Sequence, residues 1–130
     1  MSATSYGRRK VVDHLTGVAT YSPPPLYLSL HTDNPGEAGS HGFEVSGGGY
    51  ARQPLAGVMG AADSDGISVN TAVINFGPAS ANWGTITWFG IEDAASGGNM
   101  VAPGVPAMPR TITSGQPLQI PVGRLRLRTI

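Results

Sequence analysis

Residues 26–52 read LYLSLHTDNPGEAGSHGFEVSGGGYAR, and their pattern decides the fold. Leu26, Leu28 and Leu30 alternate with Tyr27, Ser29 and His31, the period-two signature of a strand with one apolar face. A half-buried strand is expected, with its leucines turned inward. Residues 32–36 (TDNPG) then carry turn chemistry, because Asp and Asn side chains bond the nearby backbone and Pro fixes φ. Gly47, Gly48 and Gly49 permit positive φ or a bulge just before residues 50–53.

A second stretch, residues 83–100 (WGTITWFGIEDAASGGNM), has the same build: an apolar strand running into a loop of Gly, Asn, Asp and Ser. Ile86, Trp88 and Gly90 fall on one face of that strand and Thr87, Phe89 and Ile91 on the other. Apolar groups on both faces predict a central strand between two layers. Residues 67–69 and 72–76 read as strands beside a turn at residues 63–66 (DSDG). Near the C-terminus, Leu118, Ile120 and Val122 alternate with Gln119 and Pro121. After Gly123, Leu125 and Leu127 alternate with Arg124, Arg126 and Arg128. Pro103, Pro106 and Pro109 break the intervening chain into short pieces.

The remainder is less regular. Residues 1–7 are small and polar and read as a flexible or docking arm. Residues 10–15 (KVVDHL) form the one plausible helix, ended by Gly17. Pro23, Pro24 and Pro25 stiffen an extended lead-in. The predicted architecture is therefore all-β: a single β-sandwich or jelly-roll-like barrel of roughly seven to nine short antiparallel strands. A short N-terminal helix and arm (residues 1–25) precede the β domain (residues 26–130).

Composition sets the outer bounds. At 130 residues the chain is long enough for one domain with its own core. Gly and Pro total 30, yet β-branched and aromatic residues run throughout, which fits tight turns rather than disorder. There is no cysteine, so disulfides and cysteine-based metal sites are excluded. No apolar run approaches the ~20 residues of a membrane span, and no apolar segment follows Arg8, Arg9 and Lys10 as a secretory leader requires. Net charge is zero but unevenly spread. Arg8, Arg9 and Lys10 give +3, residues 13–93 sum to −7, and Arg110, Arg124, Arg126 and Arg128 give +4. Basic ends and an acidic middle either pair one copy with the next or fold back within one copy.

Reactive constellations are scarce. Arg124, Arg126 and Arg128 would project about 6.6 Å apart from one strand face; they suit a protected edge or an acidic neighbouring subunit better than nucleic acid. His31, Asp33 and His41 contain metal-ligating groups without a zinc spacing, and His14 stands apart. Asp63, Asp65 and Gly66 resemble a fragment of a calcium loop but lack its closing glutamate. Glu92 and Asp93 are adjacent, so on a strand they point to opposite faces and cannot act as a facing acid pair. Trp83 and Trp88 offer a sugar-stacking platform or core packing. No cofactor or metal motif is evident, and none is expected.

Three blocks, LYLSLHTDNPGEAGS, EVSGGGYARQ and ANWGTITWFGIEDAASGGNM, resemble a family of small tailed-phage structural proteins labelled tail fibre protein or head decoration protein. The likeness runs from about residue 12 to residue 127, with the blocks in order. It departs in two places: residues 40–43 (SHGF) lengthen the first loop, and the last strand carries three arginines. The resemblance implies a non-enzymatic virion component. The leading expectation is a homo-oligomeric capsid decoration or cement protein on the shell exterior. It would contact the major capsid protein or other virion proteins, with no nucleic acid and no membrane as partner. Its contact residues would be Arg8, Arg9, Lys10, Tyr50, Arg52, Arg124, Arg126 and Arg128. The alternative is a tail-associated fibre, baseplate or adaptor subunit touching the host through Trp83, Trp88 and the Asn99 loop. A cell-wall-cleaving enzyme using Asp33, Glu37 or Glu92 is the third reading, and it lacks the paired acids that chemistry needs.

Overall fold

A computed structural model describes residues 3–128; the outermost residues of the expected arm (1–2) and β domain (129–130) lie outside the described residues. Chain order begins with helix α1 (Ser5–Leu15). Strands β1 (Tyr27–His31), β2 (Gln53–Pro54), β3 (Ser68–Val69), β4 (Ile74–Phe76) and β5 (Gly84–Ile86) follow. The chain continues through β6 (Trp88–Glu92), β7 (Met100–Gly104), β8 (Arg110–Ile112), β9 (Leu118–Ile120) and β10 (Arg126–Leu127). Among the described residues the protein is all-β with one helix. All strand pairs are antiparallel, in one four-stranded sheet ordered β2-β1-β6-β7 and three ribbons, β3 with β10, β4 with β9 and β5 with β8.

Alternation places the core. Leu28 opposes Ile91 and Leu30 opposes Phe89 across β1 and β6. In the β4–β9 ribbon, Ile74 opposes Ile120 and Phe76 opposes Leu118. These side chains join Val45, Leu55, Trp83, Ile86, Ile112 and Leu125 in one buried apolar cluster. Each fully buried Leu, Ile or Phe contributes about 1.5–3 kcal/mol relative to exposure, so this cluster is the main stabilising feature. Gly48 shows how closely the glycine run approaches it. At φ 60° it lies in the left-handed region, and an added Cβ would sit 2.9 Å from Trp83 Nε1.

Several expectations are corrected. The expected single strand over residues 85–91 is split at Thr87, and its halves pair in different sheets; β6 runs between β1 and β7 within its sheet. The 63–66 turn does bring its two sides together, Met59 opposing Asn70 and the Gly60 N–H donating to Val69 O. But β3 and β4, which both follow it, part company, β3 joining β10 and β4 joining β9. The helix starts earlier than expected. Thr4 is fully buried and caps it, its Oγ1 accepting the Gly7 N–H at 3.1 Å while donating to Met100 O at 2.6 Å. Its backbone N–H donates to Val101 O at 2.8 Å. Residues 4–7 are thus docked on β7 rather than forming a free arm. Gly17 ends the helix as predicted: its N–H donates to His14 O and the Val18 N–H to Asp13 O, a Schellman arrangement.

The largest difference concerns β1. A half-buried strand was expected, but Ser29 and His31 are as buried as the leucines, at 0% exposure. Residues 32–45 fold back over them: Thr32 N–H donates to Phe43 O, and Val45 N–H donates to Leu30 O. A buried polar face needs hydrogen-bond partners, and those partners make the site.

Candidate functional site

The buried polar face is organised around Glu92, the last residue of β6, which has no solvent exposure. Ser29 lies diagonally across from it, because Ser29 opposes Gly90 and Tyr27 opposes Glu92. Gly90 makes that approach possible: a Cβ there would fall 2.8 Å from Glu92 Oε2 and 2.7 Å from Met100 Cε. The Ser29 hydroxyl donates to Glu92 Oε2 at 2.7 Å. With that proton committed, His31 Nε2–H donates to Ser29 Oγ at 2.8 Å. His31 Nδ1 is then buried without a partner among the described residues. From the covering loop, His41 Nε2–H donates to Glu92 Oε1 at 2.7 Å.

Arg52 extends the network. Its Nε donates to Glu44 Oε2 at 2.8 Å and its Nη2 to Glu44 Oε1 at 2.7 Å, a two-pronged ion pair. Its Nη1 donates to Ala94 O and Gly97 O, both at 2.9 Å, and Nη2 stands 3.8 Å from Glu92 Oε1. The Tyr50 hydroxyl donates to Glu44 at 2.7 Å and accepts the Leu30 N–H at 3.1 Å. Its ring stacks on Phe76 and meets Trp83 edge-on. One cluster therefore ties together the two stretches whose patterns decide the fold.

Electrostatics follow from this wiring. Burial alone would push the Glu92 carboxyl up. His31 at 3.7 Å, the bonds from Ser29 and His41, and the nearby Arg52 charge outweigh it and bring the value down to about 2. Glu44 follows the same logic: burial raises it, and Arg52 and Tyr50 hold it below the usual carboxylate range. Burial, reinforced by Glu44, pushes the Tyr50 phenol far up.

Tyr50 and Arg52 are thus corrected from rim contacts to interior links; a tyrosine and an arginine after a glycine run carry no sequence mark of burial. Arg8 folds back, donating to Ala3 O at 2.9 Å and standing 3.6 Å from Glu37. Arg9 and Lys10 are exposed, with Lys10 Nζ 5.5 Å over the Tyr6 ring. Arg124, Arg126 and Arg128 are all exposed, but only Arg126 lies in a strand. Arg110, Arg124 and Arg126 line one groove of about 720 Å³ with Val105 and Met108 on its wall. Among the described residues, none of these three arginines forms an ion pair with this chain's own acids.

Trp83 belongs to the core, its Nε1–H donating to Gly48 O at 2.9 Å, so it is no receptor platform. Trp88 is half-exposed and lines an open pocket. Asn99 is exposed, and its backbone N–H is held by Asp93 Oδ1 at 2.7 Å. His31 and His41 meet at Glu92, whereas Asp33 instead caps the Asn34 N–H; no group of three metal-ligating side chains forms among the described residues. Asp63 Oδ1 accepts the Asp65 and Ile67 N–H groups, a turn rather than a calcium loop. Ser29, His31 and Glu92 are the residue types of a hydrolytic triad but are differently connected. The carboxylate bonds the serine instead of the far imidazole nitrogen, and all three are sealed from solvent.

The short-stranded β scaffold thus encloses a sealed polar interior, and Arg110, Arg124 and Arg126 lie on its outside without an ion pair among the described residues. Residues 2–128 match the family model described as Podophage GP4 fiber I protein gp80. The chain belongs to that family and is a phage virion structural protein of fibre type. A search of curated proteins found no match.

Proposed function

We propose that the chain is a tail-associated fibre subunit, held in place by protein–protein contacts and without catalytic activity. The match of nearly the whole chain to a fibre I family carries this reading and favours the tail over the capsid exterior. The attachment surface is the groove between residues 105–110 and 118–126. Its exposed Val105 and Met108 are flanked by Arg110 and Arg124. A neighbouring virion subunit that brings carboxylates and apolar side chains fits it. A second copy qualifies, since Asp33, Asp63 and Asp65 are exposed. A stable attachment would bury about 1,000 Å² or more.

Antibody labelling of intact virions tests the placement: signal at the tail is expected, and signal over the head would return the capsid-cement reading. For the attachment surface, the Arg110→Glu, Arg124→Glu double variant should fold yet be missing from purified virions. Full incorporation would reject the groove.

A further inference from the structure

We infer that the pocket beside Trp88 is a saccharide-binding site. Its position follows from strand alternation. Trp88 opposes His31, so it shares the face of β6 that carries Gly90 and Glu92. Along most of that face, residues 32–45 seal the polar groups. At Trp88 the cover ends, leaving an open pocket of about 560 Å³ lined by Trp88, Asn34, Glu37, Arg126 and the end of β7. That volume suits a small ligand.

The four side chains supply what a polyhydroxylated ring needs. A half-exposed indole offers a flat apolar surface for the C–H face of a sugar, as aromatic rings with one wet edge do. No indole N–H bond from Trp88 occurs among the described residues, whereas the Trp83 N–H is satisfied by Gly48 O. Glu37 presents a carboxylate whose two oxygens can accept from neighbouring hydroxyls. Its side chain is 80% exposed and its contact with Arg8 spans 3.6 Å, so this screened pair yields readily to a ligand. The Asn34 Oδ1 accepts the Gly36 N–H at 2.8 Å, which fixes the amide and leaves its NH₂ to donate. Arg126 adds a fork of donors on the opposite strand segment. One anionic and one cationic group balance, so the fitting ligand is neutral and rich in hydroxyls.

Binding of a saccharide by the isolated chain does not depend on its location in the virion. That the saccharide belongs to the host surface rests on the fibre reading.

Nuclear magnetic resonance of the full chain tests the site, because its two indole N–H signals separate Trp83 from Trp88. Trp88→Phe assigns them. The probes are glucose, galactose, mannose, rhamnose, N-acetylglucosamine and N-acetylgalactosamine. At least one should move the Trp88 signal and leave Trp83 in place, with a Kd of about 1–10 mM for a single ring. Glu37→Gln, a surface change that keeps the fold, should weaken that binding about tenfold by removing a charged acceptor. Absence of any Trp88 shift with all six sugars at about 50 mM would overturn the inference. So would binding unchanged by Glu37→Gln. Phage carrying Glu37→Gln that adsorb normally, while the isolated chain has lost sugar binding, would leave the pocket standing and remove the receptor role instead.

Discussion

Replacing Glu92 with Gln tests the central wiring of the molecule. The carboxylate accepts from Ser29 and His41 at 2.7 Å each and lies 3.8 Å from the Arg52 guanidinium, fully out of solvent. Gln keeps the shape but turns one acceptor into a donor. That new NH₂ faces either Ser29 or the His41 N–H. Hydrogen bonds to a charged group are worth about 1.5–3 kcal/mol each, and one is lost outright. The titration provides a second route to the magnitude. Glu92 falls from its ordinary 4.5 to about 2, and at 1.36 kcal/mol per pH unit this is about 3 kcal/mol. Because the folded value is depressed, this stability is fully present above the unfolded value. It is lost as pH falls through the window from about 4.5 to 2. Glu92→Gln should therefore cost about 3 kcal/mol at pH 7, and the gap from the parent should close as pH approaches 2. Urea titrations at several pH values from 7 down to about 2.5 read both quantities. A deficit under about 1 kcal/mol at pH 7, or one independent of pH, would falsify the assignment of Glu92 as the buried anchor.

Two further outcomes follow from the packing. Gly48→Ala should destabilise by about 2–3 kcal/mol, through both a left-handed φ and the 2.9 Å approach to Trp83 Nε1. Gly47→Ala has the same sign of φ but open space around it and should cost about 1 kcal/mol; equal losses in urea melts would show that the Trp83 contact does not matter. Thr4→Val removes the helix cap and the bond to Met100 O, so α1 amides should exchange about tenfold faster or more, for a loss of about 1–2 kcal/mol. Unchanged exchange in α1 would contradict its docking through Thr4.

Local chemistry was readable where one residue acts on its own neighbours. The alternation of Leu28 and Leu30, the stop at Gly17 and the Asp63 turn needed nothing from distant chain. What escaped was set by tertiary partners. Ser29 and His31 look solvent-facing until Glu92 arrives from 63 residues along the chain to accept the Ser29 hydroxyl, whose oxygen in turn accepts from His31. Gly7, a poor helix former, hid the first turn of α1, yet its missing side chain is what lets the helix rest against Val101. Tyr50 and Arg52 were misplaced for the same reason: polar residues beside glycines usually mark a surface, and only Glu44, Ala94 and Gly97 turn them inward. His41, in a loop with no regular spacing, delivers a direct bond to the buried carboxylate that only the folded chain reveals.

Arg52 grips the 94–97 loop by its main-chain oxygens, not by any side chain of that loop. Ala95 and Ser96, both exposed at its tip, are thereby uncoupled from the anchor beneath them. Randomising those two positions would diversify the outer contour of the molecule while the supporting frame stays constant, which makes this loop a natural display site for evolution or for a designed library.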